Sequence, residues 1–219
     1  GRLIEFPLGV FAVAISTAAL PALSRMAAKQ DIKAFKDSLA YAINLVLVDT
    51  VPAMFGLIIL RSQIVALIYQ RGHFGIADTN ATAFAVLFFT ISIPAIGISR
   101  VLVAAFNSLQ NTRTPVIIAV WTIAINLLCS FLLMKPLAHG GLALAVSLSS
   151  IFNFSVLTIV LRHKIGALGL RAIIKSGLKT FVASIGMGAV LYKIVQSISW
   201  TTGSYGLREG GLVLGIVFL

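Results

Sequence analysis

The chain has 219 residues, of which 59% are hydrophobic and 11% are charged, and its formal net charge is +11. This composition excludes an ordinary soluble domain, in which about 25% of residues are charged, and it excludes a disordered chain, which needs low hydrophobicity. An excess of basic residues would suit a nucleic-acid-binding protein. Here, however, the Lys and Arg residues lie mostly between apolar segments, and no DNA- or RNA-binding motif accompanies them. That placement indicates the positive-inside bias of membrane loops. We therefore expect no nucleic-acid partner.

Seven apolar segments follow one another along the chain, and each is predicted to form a transmembrane helix. Helices are expected because backbone groups in lipid must pair within their own segment, and no segment alternates like a barrel strand. The predicted fold is an all-α polytopic bundle of about seven transmembrane helices. Three prolines inside the segments, Pro7, Pro52 and Pro94, are predicted to kink their helices. The segments are residues 4–24, 38–60, 80–106, 115–134, 140–161, 176–197 and 205–219.

The distribution of basic residues predicts the orientation in the membrane. Ten Lys and Arg residues fall in the connections after the first, third and fifth segments, against five on the opposite side. The side with ten is predicted to be cytoplasmic, so the N-terminal end lies outside and the C-terminal end inside. Residues 162–179 space their cations among apolar side chains, which predicts a cytoplasmic interfacial segment.

Ionisable side chains inside membrane helices are candidate functional residues, because each costs about 2.5–3.5 kcal/mol at a helix centre on insertion scales. Arg2 and Glu5 share one helix face near the outer end of the first segment. They form either a structural ion pair or a cation facing a water-filled cavity with Glu5 orienting it. Arg100 either snorkels to the cytoplasmic interface or lines a cavity. Asp49, in the second segment, has no assigned role.

The sequence contains no pattern typical of an enzyme. The histidines are far apart and have no metal-ligand spacing, the single Cys129 provides no thiolate site, and no phosphate-binding glycine loop is present. Transport or lipid handling is therefore the favoured class of function. Four further polar residues are expected to form interhelical hydrogen bonds, namely Asn44, Asn126, Ser130 and Asn153.

Five motifs along the chain carry a family resemblance. They are Arg2-Leu-Ile-Glu-Phe-Pro-Leu-Gly9 with Leu20-Pro-Ala-Leu-Ser24, Tyr69-Gln-Arg-Gly-His-Phe74 with Asp78-Thr79, Ala105-Phe106 with Asn111-Thr-Arg-Thr-Pro115, His139-Gly-Gly-Leu-Ala-Leu-Ala145, and Leu161-Arg-His-Lys-Ile-Gly166. Their order and spacing resemble the MurJ/MviN lipid II flippases of the multidrug/oligosaccharidyl-lipid/polysaccharide exporter superfamily. The resemblance covers nearly the whole chain, more weakly after about residue 170.

The resemblance implies a flippase of fourteen helices, of which the chain would supply helices eight to fourteen. Residues 1–161 would form five helices of the C-terminal transport lobe, residues 162–179 the cytoplasmic linker, and residues 180–219 two additional helices. A fragment is also expected because the sequence begins without methionine and stops inside an apolar segment.

The function implied by the resemblance is transport without an enzymatic reaction or a cofactor. The protein would move the undecaprenyl-diphosphate-linked peptidoglycan precursor across the bacterial inner membrane by alternating access. Its partners would be that precursor, membrane lipids and the missing N-terminal lobe.

The resemblance also assigns roles to single residues. Arg2 falls on the family's cavity arginine and Arg100 on a basic position of helix ten, so both are expected to bind substrate, with Glu5 orienting Arg2. The family's sodium site implies Asn126 as one Na⁺ ligand, whereas Ser130 stands where that site has a carboxylate. Asn111 replaces the aspartate that the family usually has in its inner loop.

Two other functions are compatible with the residues. The first keeps the fold and changes the cargo, giving a polysaccharide-lipid flippase or a multidrug exporter. A cation-driven drug exporter would be expected to have an acidic, aromatic-lined site, and Asp49 is the only acid deep in a segment. The second is a membrane scaffold of the cell-wall machinery without transport of its own.

Overall fold

The computed structural model describes residues 12–69, 75–137, 139–166 and 170–197, and these residues form seven α-helices without a strand. The all-α bundle predicted from the apolar segments is therefore confirmed. The last predicted segment, residues 205–219, lies outside the described residues. The helices are α1 (Val13–Ala28), α2 (Ile32–Tyr69), α3 (Ile76–Thr90), α4 (Ser92–Ser108), α5 (Arg113–Leu137), α6 (His139–Ile165) and α7 (Leu170–Ser197).

Five stretches of the described helices are long and apolar enough to cross a membrane. α2, α5, α6 and α7 each provide one, and α3 and α4 together provide the span Asp78–Ser108. α1 is a shorter apolar helix of 16 residues. The described helices thus overlap six of the seven predicted segments, with α3 and α4 sharing the third.

The third predicted segment is interrupted at Ile91, where α3 ends and α4 begins. Pro94 follows three residues later and has no backbone N–H to donate to the carbonyl of Thr90, which explains a break at this place. The kink predicted at Pro94 is thus observed as two helices. α2, in contrast, continues through Pro52 as one helix of 38 residues.

Helix α4 is buried along most of its length and packs against α1, α2 and α6. Gly97 permits the close approach to α2, because a Cβ atom there would lie 2.7 Å from Cγ1 of Val46. The buried cluster around α4 includes Phe35, Leu39 and Val46 of α2, Val101, Leu102 and Phe106 of α4, and Leu157 and Leu161 of α6.

Helix α5 contacts mainly α6, and a side chain at Gly141 would overlap the backbone carbonyl of Leu133 in this hairpin. The opposite face of α5 is apolar and exposed. Its exposed side chains include Val116, Ile117, Val120, Trp121, Ile123, Leu127, Leu128, Phe131 and Leu132. In a membrane, such a face lies against lipid or against another helix.

Helix α7 packs along α2, where the rings of Phe55 and Phe181 meet edge to face with centroids 5.2 Å apart. It begins at Leu170, inside the segment that was predicted to be interfacial, and continues without a break to Ser197. α6 ends at Ile165, and Gly166 follows with a φ of +82°.

The connections after α1 and α4 have the same backbone conformation. Gln30 and Gln110 have φ angles of 57° and 56°, which are left-handed values that residues other than glycine rarely adopt. In both turns the next residue donates its backbone N–H to a carbonyl in the last turn of the preceding helix, as in a Schellman motif.

Candidate functional site

A cavity of about 530 Å³ lies between α1, α4, α5 and α6. Its volume falls within the range of about 300–1,000 Å³ that is usual for small-molecule sites. Leu20 of α1 and Ile96, Val103 and Ala104 of α4 form its apolar walls. Its polar lining consists of Ser16 and Thr17 of α1, Ser99, Arg100 and Asn107 of α4, Thr122 of α5, and Ser150 and Asn153 of α6.

Arg100 is the one charged residue among the described residues that line this cavity. It is half-buried, whereas its neighbours Ser99 and Val101 are buried. The sequence left two positions open for this side chain, snorkelling to the interface or lining a cavity, and the structure places it on the cavity wall. Arginine presents a planar set of donors that can bind phosphate oxygens in pairs.

The hydroxyl groups of the cavity are already engaged within their own helices. Ser99 donates to the carbonyl of Ala95 at 2.8 Å, and Thr122 donates to that of Ile118 at 2.8 Å. Ser16, Thr17 and Ser150 make the same kind of bond, each to a carbonyl three or four residues earlier. These oxygens therefore face the cavity as hydrogen-bond acceptors.

The side-chain amides of Asn107 and Asn153 have no hydrogen bond to a described residue. Asn107 is exposed on the last turns of α4, and Asn153 is half-buried in the middle of α6. Asn153 was predicted to form an interhelical hydrogen bond and makes none within the described part of the chain. Asn107 was not singled out from the sequence, although it lies seven residues after Arg100 and so on the same helix face.

Arg2 and Glu5, the other predicted substrate-binding residues, lie outside the described residues. The described part of the first predicted segment begins at Ala12, which is fully buried beside Leu57 and Ile93.

Asn126 joins α5 to α6. Its Nδ2 donates to Oγ of Ser149 at 3.0 Å, and that hydroxyl donates to the carbonyl of Val146 at 3.0 Å. The interhelical hydrogen bond predicted for Asn126 is therefore present. No group of three or more His, Cys, Asp or Glu side chains lies together among the described residues. The sodium role of Asn126 stays a prediction.

Asp49 lies on α2, away from the residues that line the cavity. Its Oδ2 atom is buried and accepts no hydrogen bond from a described residue. Asn44 and Gln63, on the same helix, also have a buried side-chain oxygen without such a partner. None of these three residues adds a carboxylate or an amide to the cavity.

A family model described as Lipid II flippase MurJ matches residues 1–209. The chain is similar to the probable lipid II flippase MurJ of Rickettsia prowazekii, at 33% identity over 199 residues, which cover 90% of this chain and 38% of that protein. The similar protein of Vibrio cholerae is 29% identical over 221 residues, covering 97% of this chain and 40% of that protein.

A solved structure, a lipid II flippase MurJ in an inward closed conformation, has a similar fold. It is 27% identical in sequence, with a TM-score of 0.76, and the match covers 99% of this chain and 44% of that chain. The chain thus spans about two fifths of the length of the proteins that it matches.

Proposed function

Because the chain belongs to the lipid II flippase MurJ family, we propose that it is part of a transporter for the lipid-linked peptidoglycan precursor. Its apolar helices and its relatives make it a multi-pass inner-membrane protein. Transport is the activity of a longer protein, since the chain spans about two fifths of its relatives. The remaining part of that protein would supply the N-terminal lobe.

The observation that carries this proposal is a cationic cavity between membrane helices. A lipid with a diphosphate and sugars cannot cross about 30 Å of hydrocarbon unaided, because removing water from the anion costs too much free energy. Arg100 and the polar groups around it would replace part of that water. Rocking of the two lobes would then expose the headgroup to the other leaflet.

The charge of the cavity favours this cargo over the alternatives. Among its described lining residues there is one cation and no carboxylate, so the cavity suits an anionic headgroup better than a cationic drug. Asp49, the acid that a drug exporter could have used, does not line it. The hydroxyl and amide groups that line the cavity suit a lipid that carries sugars. Depleting cells of the protein and identifying the lipid-linked precursor that accumulates distinguishes a peptidoglycan cargo from a polysaccharide cargo.

We assign Arg2 and Glu5 to the same function as Arg100. Arg2 would be a second cation for the diphosphate, and Glu5 would orient it from the same helix face. Neither role depends on sodium or another cofactor.

We further propose three parts and one orientation for the chain. Residues 1–161 belong to the C-terminal transport lobe, residues 162–179 to a cytoplasmic linker, and residues 180–219 to two additional helices. The basic side chains at one end support the orientation, since Lys29, Arg162 and Lys175 are all exposed there. The N-terminal end of the chain then lies on the outer side.

Arg100→Gln in the full-length protein is expected to lower lipid II flipping about tenfold or more, because charge-assisted hydrogen bonds to phosphate are lost. The measurement is the fraction of lipid II on the outer face of cells depleted of their own flippase. Arg2→Ala is expected to abolish flipping while leaving membrane insertion intact. Arg162→Gln, an exposed arginine at the end of α6, is the matched control and should flip normally.

Normal flipping by Arg100→Gln, at a membrane level equal to that of the unmodified protein, would remove Arg100 from the mechanism. Accumulation of a different lipid-linked sugar in the depleted cells would favour the polysaccharide flippase. If no precursor accumulates on depletion, the protein is a scaffold and the transport proposal is wrong.

A further inference from the structure

We propose that Asn107 and Asn153 determine which headgroup the cavity accepts, by hydrogen bonding its sugar hydroxyl and amide groups while Arg100 binds its phosphate. This inference rests on the proposed function. It concerns neutral residues that contribute nothing to the charge of the cavity.

The hydroxyl groups that line the cavity are not available as hydrogen-bond donors to a ligand. The hydroxyls of Ser99 and Thr122 donate their hydrogen bonds to backbone carbonyls, as do those of Ser16, Thr17 and Ser150. Each of these oxygens can still accept a hydrogen bond, but it donates none to a ligand without breaking its helical bond. Donors for a neutral headgroup must therefore come from other side chains.

The two asparagines are those side chains. Each amide has two N–H donors and one carbonyl acceptor, and neither makes a hydrogen bond to a described residue. A polar group in a cavity between membrane helices needs a partner, since leaving it unsatisfied is costly. Water can fill that role when no headgroup is bound, and a headgroup that replaces the water has to reproduce its hydrogen bonds.

The cavity lining provides both a cation and neutral amides for a headgroup that carries phosphate and sugar. Arg100 and Asn107 lie on one face of α4, separated by about 10 Å along the helix axis at 1.5 Å per residue. Asn153 lies on α6, which packs directly against α4. The cavity wall thus provides one guanidinium group and two neutral amides, contributed by two helices that pack together.

Phosphate and sugar groups need different hydrogen-bond partners. A diphosphate only accepts hydrogen bonds, which suits the guanidinium of Arg100. Sugar hydroxyls and acetamido groups both donate and accept, which suits an amide side chain. A site built to hydrogen bond such groups discriminates strongly against an analogue that lacks them, because its own polar groups are then left unpaired.

The test compares two lipids in the full-length protein reconstituted in nanodiscs. Undecaprenyl diphosphate carries only the phosphate end, whereas lipid II carries the phosphate and the sugars. The double variant Asn107→Leu with Asn153→Leu should weaken lipid II binding about tenfold or more and change undecaprenyl diphosphate binding less than about twofold. Arg100→Gln should weaken the binding of both lipids.

Asn44→Leu is the matched control. Asn44 is a half-buried asparagine on α2 that does not line the cavity, so this variant should bind both lipids like the unmodified protein. Retained binding of undecaprenyl diphosphate shows that the double variant is folded. A thermal melting curve checks the same point independently.

The failures of the two proposals are distinguishable. If the double variant binds both lipids equally more weakly, or binds both as the unmodified protein does, the proposed specificity role of the asparagines is wrong while the proposed function stands. If the unmodified protein binds neither lipid, the proposed function is wrong and this inference falls with it.

Discussion

Short polar side chains begin two of the helices at the predicted cytoplasmic end. Oδ1 of Asn111 accepts the backbone N–H of Thr114 at 3.4 Å and its hydroxyl at 3.1 Å, at the start of α5. Oδ1 of Asp31 accepts the N–H of Ala34 at 2.9 Å in the corresponding turn before α2. Asparagine and aspartate cap helices about equally well. Asn111, where the resemblance implies an aspartate, therefore provides this capping interaction without a charge.

Close packing at a single residue gives a prediction for Gly97. In Gly97→Ala, the new Cβ would lie 2.7 Å from Cγ1 of Val46 and 3.3 Å from Cγ2 of Thr50, both of them fully buried side chains. Overpacking of this kind is expected to lower the free energy of unfolding by about 1–3 kcal/mol. A lower melting temperature of the purified full-length protein in detergent is the measurement.

Gly56→Ala is the control for this change. A Cβ at Gly56 meets nothing within 4 Å, so the better helix propensity of alanine should leave stability unchanged or raise it. Equal melting temperatures for both variants would mean that α4 and α2 are not in close contact at Gly97.

At the scale of helices, a hydrogen bond from α6 reaches the end of α3 beside the break between α3 and α4. The carbonyl of Phe88 lies in the last turn of α3, and Oγ of Ser147 on α6 donates a hydrogen bond to it. Ser147 is almost completely buried. One hydroxyl on α6 thus joins that helix to the end of α3, next to the interruption at Ile91.

Ser147→Ala is expected to lower the stability of the full-length protein by about 0.5–1.5 kcal/mol, because the hydrogen bond to the carbonyl of Phe88 is lost. The melting temperature in detergent should fall accordingly. Ser155→Ala is the matched control, since the hydroxyl of Ser155 is exposed and bonds only to the carbonyl of Ile151 in its own helix. A melting temperature that Ser147→Ala leaves unchanged would show that the bond to Phe88 contributes nothing.

At the scale of the whole molecule, α5 lies at an edge of the described bundle and has few neighbouring helices. α5 is held mainly by α6, and Phe131 on its outer face is 76% exposed. α4, by comparison, is surrounded by three helices. A bundle with such an apolar outer side is suited to contact with lipid or with further protein, and the chain spans about two fifths of the length of its relatives.

The proposed orientation predicts a labelling pattern in a cysteine-free version of the full-length protein. Lys135 and Lys175 are exposed residues near opposite ends of the bundle. Lys135→Cys should react with a membrane-impermeant maleimide in intact cells, and Lys175→Cys should react only after permeabilisation. The reverse pattern would invert the topology, and equal labelling of both in intact cells would contradict it.

The sequence predicted the fold class and most helix positions because hydropathy is a local signal. The break near Pro94 was also predictable, since the missing N–H is a property of one residue. The length of α2 was not predictable, because the helix continues past residue 60 through the polar residues Arg61 and Gln63. Arg61 donates to the carbonyl of Ile58 at 2.7 Å within the same helix.

The cavity was only partly predictable. Arg100 was identified because a charge in an apolar segment is conspicuous. Asn107 was missed because a polar residue near a helix end is ordinary, and only its spacing from Arg100 could have singled it out. The cavity itself depends on four helices that are distant in sequence, and no local pattern encodes how they are spaced.

Gln30 and Gln110 reverse the chain at the same end of the bundle. Both have a left-handed backbone conformation, which glycine adopts without steric penalty. Each reversal is thus maintained by its surrounding hydrogen bonds against a local preference for right-handed backbone. Replacing either glutamine by glycine is therefore expected to stabilise the protein while leaving every transmembrane side chain unaltered, which is a practical advantage for purification.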